Sequence, residues 1–188
     1  KESQYGIAHF FEHIVFKGTE KYPHAQDLAE AVDSVGANFN AFTGKEYTGY
    51  YVQVASRHFE LALDVVSDML LTPRLRQEDI DREKGVIIEE MNMYADMPAS
   101  DIGDKFEEMS FKGNGLSHKI IGTKETVKSI TTKDFEEFLG SWYGLDNLVV
   151  KIAGDKSILD KPETIKKVEE MFAKSGERKC NPNHDRID

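Results

Sequence analysis

Gly6-Ile7-Ala8-His9-Phe10-Phe11-Glu12-His13 is the stretch whose reading decides this chain. Its last five residues spell H-x-x-E-H, a zinc-peptidase signature in the opposite order to H-E-x-x-H. On a helix, positions i, i+3 and i+4 share one face, so His9, Glu12 and His13 point together. Two neutral imidazoles four residues apart can hold one zinc ion, and a carboxylate beside them can take a proton from water. Ile7, Ala8, Phe10, Phe11, Ile14, Val15 and Phe16 surround the three polar residues. A helix that is apolar nearly all round is a buried helix, and polar groups buried there need partners, which a metal supplies. The plainer alternative is a surface helix with two solvated histidines.

A catalytic zinc site takes three protein ligands and keeps one position open. The chain has a single cysteine, Cys180, so a thiolate cage is excluded. A helical pattern from about Gln77 to Tyr94 carries Ile80, Ile87, Met91 and Tyr94 as an apolar stripe. Glu83 and Glu90 are two turns apart on nearly one face, next to Ile87. Glu89 is rotated by about 100° from Glu90 and faces solvent. Glu90 is therefore the expected third ligand. Glu83 is placed to accept a hydrogen bond from the free ring nitrogen of a ligand histidine, as metal-bound histidines usually require. An ordinary amphipathic helix with a solvated acidic run is the competing reading of this segment.

Four segments in order resemble one family. They are Gly6 to His13 running on to Phe16-Lys17-Gly18-Thr19; Asn38-Phe39-Asn40-Ala41-Phe42-Thr43 with Tyr50-Tyr51; Glu83 to Met91; and Ile121-Gly122-Thr123 with Ile130-Thr131 and Trp142-Tyr143. Together they resemble the pitrilysin–insulysin–mitochondrial processing peptidase family of zinc metallopeptidases, the inverzincins, and most of all its processing-peptidase branch. The resemblance implies Zn2+ on His9, His13 and Glu90, Glu12 as general base, and Glu83 in support. It implies that the strand edge at Asn40 and Ala41 receives a peptide substrate as an added β-strand, which an exposed edge can do by main-chain hydrogen bonding. It also implies a second homologous domain or partner subunit, and a strand pair ahead of the first helix that this sequence lacks. A zinc endopeptidase is thus expected. The alternative is a structural or partner-dependent member of the same family that binds zinc and does not cleave alone.

The 188 residues, 39% hydrophobic and 31% charged, suit one domain, residues 1–188, with a sizeable core. A net charge of −10 argues against nucleic acid and against an anionic membrane surface. No apolar run approaches the ~20 residues of a membrane span. A cytoplasmic location is the expectation; the start looks truncated, so an organellar or periplasmic one stays open. His24, His58 and His118 read as solvated or loop residues, and His184 as part of a polar tail.

The first helix is expected from about Ser3 to Phe16, followed by a helix over Ala25 to Val35. A hairpin of Asn38 to Phe42 with Tyr47 to Ala55 follows. Further helices cover His58 to Leu71, Gln77 to Tyr94 (closed by Pro98), Asp101 to Phe111, Thr131 to Tyr143 and Lys161 to Lys174. Leu148 to Ala153, continuously apolar, reads as a strand. Helices and antiparallel pairing without strict βαβ alternation give an α+β class, with a helical layer on one face of an antiparallel or mixed sheet.

Overall fold

The computed structural model describes residues 2–173. It is mostly helical with one two-stranded antiparallel sheet, the α+β class expected. In chain order the elements are α1 (Ile7–Ile14), α2 (Ala25–Asp33), β1 (Asn38–Thr43), β2 (Thr48–Gln53), α3 (Phe59–Leu71), α4 (Gln77–Ala95), α5 (Pro98–Ser110), α6 (Lys124–Ser129), α7 (Thr132–Trp142), α8 (Lys156–Leu159) and α9 (Pro162–Ala173). Lys174, the tail and His184 lie outside the described residues. No helix among the described residues is long and apolar enough to cross a membrane.

The chain forms two compact units. Residues 2–14, 41–49 and 75–135 make the first; residues 15–40, 50–74 and the described residues from 136 onward make the second. In the first, α1 packs on α4, and α4 on α5 and α6. Phe10, Phe11 and Phe135 are fully buried there, with Ile14, Ile80 and Ile87. The Phe10 ring meets the Phe135 ring edge-on at 5.2 Å between centroids. Each such side chain contributes roughly 1.5–3 kcal/mol on burial, so the zinc-motif helix is anchored by its own aromatic residues. In the second unit α3 packs on α2 and α9, with Leu63, Leu71 and Phe172 at the centre.

The first helix is shorter than its apolar run. It spans Ile7–Ile14, between single 3-10 turns at Glu2–Gln4 and Val15–Lys17. Gly6 explains the break: its φ is +92°, a conformation that a helix interior forbids. The same glycine lies against the backbone of Ile121, and a Cβ there would fall 2.6 Å from the Ile121 carbonyl oxygen. Gly122, at φ +80°, closes the contact from the other side against Tyr5. Two glycines thus let the loop before α6 lie on the start of α1.

Two other expectations change. Pro98 opens α5 instead of only closing α4, because proline's missing N–H costs nothing in a helix's first turn. Leu148 to Ala153 pairs with no strand among the described residues, since a strand's backbone is satisfied only by a neighbour. Val149 there is 93% exposed. With Val52 and Val54 this segment borders a groove of about 480 Å³ in the second unit, lined also by Leu63, Leu70 and Phe172. The expected cap of α7 is present: the Asp134 carboxylate accepts from Thr131 N–H at 2.9 Å and from the Thr131 hydroxyl at 2.7 Å.

Candidate metal centre

The site lies wholly in the first unit. α1 presents His9 and His13 one turn apart, their ring centroids separated by 4.7 Å. α4 lies alongside and presents Glu83 and Glu90 two turns apart. Its apolar residues Ile80 and Ile87 are fully buried, so the face that carries them is the face turned inward. Glu90 Oε1 is 3.6 Å from His9 Nε2, and Glu90 Oε2 is 3.4 Å from His13 Nε2. Glu89 is exposed, with its carboxylate on Asn92 at 3.5 Å. The structure therefore brings Glu90, not Glu89, to the imidazoles. One atom from each of His9, His13 and Glu90 lies within 4.8 Å of the others.

Glu83 is 4% exposed, and its Oε1 is 3.0 Å from His13 Nδ1. A carboxylate only accepts, so Nδ1 carries the proton and donates. The other ring nitrogen, Nε2, is then the one aimed at a carboxylate oxygen of Glu90. Two acceptors 3.4 Å apart repel unless a cation or an extra proton lies between them. Glu90 Oε2 and His9 Nδ1 are buried and take no hydrogen bond among the described residues. Burial, and then the neighbouring His13, hold the His9 pKa below its usual value. That keeps His9 in the neutral form a metal requires. The donor set of two imidazoles and a carboxylate, gathered within 4.8 Å of one another, fits a zinc-sized cation.

Glu12 faces the same cavity, of about 600 Å³, as His9, His13 and Glu90. The Thr43 hydroxyl, at the end of β1, donates to Glu12 Oε2. Ala41 lines the cavity too. Along β1 burial alternates, so Ala41 and Thr43 face inward while Asn40 and Phe42 are exposed on the other side. Asn40 belongs to the second unit and Ala41 to the first.

Several lining residues were not visible in the sequence. Tyr94, expected in the apolar stripe, is 40% exposed at the cavity wall. Burial and the Glu90 carboxylate push its phenol pKa up. Lys45, from the hairpin turn, donates to the His118 carbonyl at 2.6 Å and pairs with Glu107 at 2.9 Å. Lys119 pairs with Asp104 at 3.0 Å. His118 turns its ring onto Tyr5, stacked at 3.7 Å. Only the tilt of Tyr94 along α4 could have been anticipated, as it follows Glu90 by one turn; the others come from separate loops.

Fold and site together define a domain of the H-x-x-E-H zinc-protease class. The model of the insulinase family, peptidase family M16, matches residues 1–124, and this chain belongs to that family. It is 40% identical over 171 residues to an uncharacterized zinc protease of Streptomyces coelicolor, covering 91% of this chain and 36% of that protein. It is 32% identical over 168 residues to the beta subunit of the mitochondrial-processing peptidase of Dictyostelium discoideum, covering 89% of this chain and 35% of that protein. The chain thus spans little more than a third of the length of either. Among solved structures, the peptidase M16 inactive domain from Pseudomonas fluorescens superposes with a TM-score of 0.82 at 15% identity, over 95% of this chain and 44% of that one. At that identity the likeness is one of fold.

Proposed function

We propose that this domain is the zinc-bearing part of an endopeptidase that hydrolyses peptides or short unfolded segments. The observation that carries the reading is the convergence of His9, His13 and Glu90 on one point beside Glu12. In this reading those three residues hold Zn2+, and Glu83 fixes the His13 ring through Nδ1. Zinc bound there supplies Lewis acidity to a peptide carbonyl and to the attacking water. Glu12 takes the proton of that water on its carboxylate and delivers it to the departing amine. A substrate laid along β1 at Asn40 and Ala41 runs past the cavity wall that Ala41 forms, which favours strand-like binding.

A second reading rests on length and surface. The chain spans about a third of its curated relatives. Ile102, Phe106 and Met109, spaced four and three along α5, are 70%, 71% and 79% exposed. Such an apolar stripe suits coverage by a second homologous domain or partner subunit. The domain then binds zinc and cleaves only when that part is present.

Zinc stoichiometry measured together with cleavage of a mixed peptide library tests both. Glu12→Gln should retain one zinc and lose ~10²–10⁴-fold in turnover. Equal cleavage by the variant would remove Glu12 from the chemistry. Zinc without cleavage in the isolated domain, restored by the longer polypeptide, selects the second reading.

A further inference from the structure

We propose that Thr43 is the positioning residue of the base: its hydroxyl orients the Glu12 carboxylate. This rests on the reading of Glu12 given above. Glu12 projects from α1 into an open cavity, and the terminal torsion of a glutamate is broad and intrinsically unconstrained. Something outside the helix must set the direction of its oxygens. The only hydrogen bond that the described residues offer this carboxylate is the one from Thr43 Oγ1 to Oε2. That bond engages one oxygen and leaves Oε1 for the proton.

The donor is well suited to the task. Threonine is β-branched, so its χ1 is stiff, and it sits on a strand, not in a mobile loop. The β1 alternation turns Thr43 and Ala41 to the same, more buried side of the strand, while Phe42 is 46% exposed. Behind Phe42, Gly49 of β2 admits the ring: a Cβ at Gly49 would lie 2.5 Å from Phe42 Cε1. The hairpin is thereby held in register, with Gly44 N–H on the Tyr47 carbonyl at 2.8 Å closing its turn. Thr43 is therefore fixed by the hairpin, and it fixes Glu12 in turn. It is no part of the His9, His13 and Glu90 group, so it should act on turnover and not on the metal.

Three variants of the full chain decide this: Thr43→Val, which keeps the shape and deletes the donor, Thr43→Ser, which keeps the donor, and Glu12→Gln. Thr43→Val should lower kcat by ~10–100-fold, the scale of a displaced catalytic group. KM, zinc stoichiometry and melting temperature should stay at wild-type values, and Thr43→Ser should recover most of the rate. A crystal structure of Thr43→Val should show the Glu12 carboxylate rotated. Wild-type kcat in Thr43→Val, a fall that follows zinc loss, or a Glu12 carboxylate unmoved in the crystal overturns the proposal. If the unsubstituted chain cleaves nothing even within the longer polypeptide, the reading of function fails, and the Glu12 orientation in the crystal still decides the positioning.

Discussion

Replacing Glu83 isolates what a buried carboxylate behind a ligand histidine is worth. Its Oε1 accepts from His13 Nδ1 at 3.0 Å, and Glu83 itself is 4% exposed, so water cannot take its place. A hydrogen bond to a charged group in such a place contributes about 1.5–3 kcal/mol. At ~1.4 kcal/mol per factor of ten, that is roughly 10–100-fold in metal affinity, if the bond is made only with the ring turned for the metal. Glu83→Gln keeps the volume and one acceptor but loses the charge, so it should fall at the low end, about tenfold. Glu83→Ala also frees the ring and should fall at the high end. The assay is competition for zinc against a chromophoric chelator, with the metal-free proteins compared by urea unfolding to set aside loss of fold. Wild-type zinc affinity in both variants would refute the claim that Glu83 orients His13. Equal losses in both would show that charge matters and volume does not.

The face assignment on α4 has its own test: Glu90→Gln should lower zinc content markedly and Glu89→Gln should leave it unchanged, by metal analysis after dialysis. Similar losses would defeat the assignment. For the fold around the site, Gly6→Ala forces a Cβ onto a positive φ and against the Ile121 carbonyl, and should cost about 2–3 kcal/mol in urea unfolding. Gly85→Ala, mid-helix in α4 with open space at the added Cβ, should stabilise by roughly 0.5–1 kcal/mol. A neutral Gly6→Ala would mean that the turn before α1 adapts freely.

The residues of the candidate metal centre were legible because each pair is local. His9, Glu12 and His13 lie within two turns of one helix, and Glu83 and Glu90 within two turns of another, so helical period alone sorts Glu90 from Glu89. Helices α3, α4 and α7 were legible for the same reason, since an apolar stripe is encoded within a few residues. The break before α1 was not, although Gly6 was visible. A glycine states that a positive φ is permitted, and only the approach of Ile121 and Gly122, more than a hundred residues along, makes it required. The apolar run Leu148 to Ala153 failed as a strand on the same ground, because pairing depends on a neighbour that the segment does not encode.

By itself, then, the sequence determined the donor types, their spacing on two helices, and through them the family and its zinc chemistry. Tertiary structure decided which groups meet: Glu90 facing both imidazoles, Glu83 behind His13, and Thr43 on Glu12. It also brought Lys45, Tyr94 and Lys119 to one cavity. The physical reason is range. Helical period acts over a few residues and is written in order along the chain, whereas a hydrogen bond between α1 and β1 exists only once packing has brought distant segments within about 3 Å.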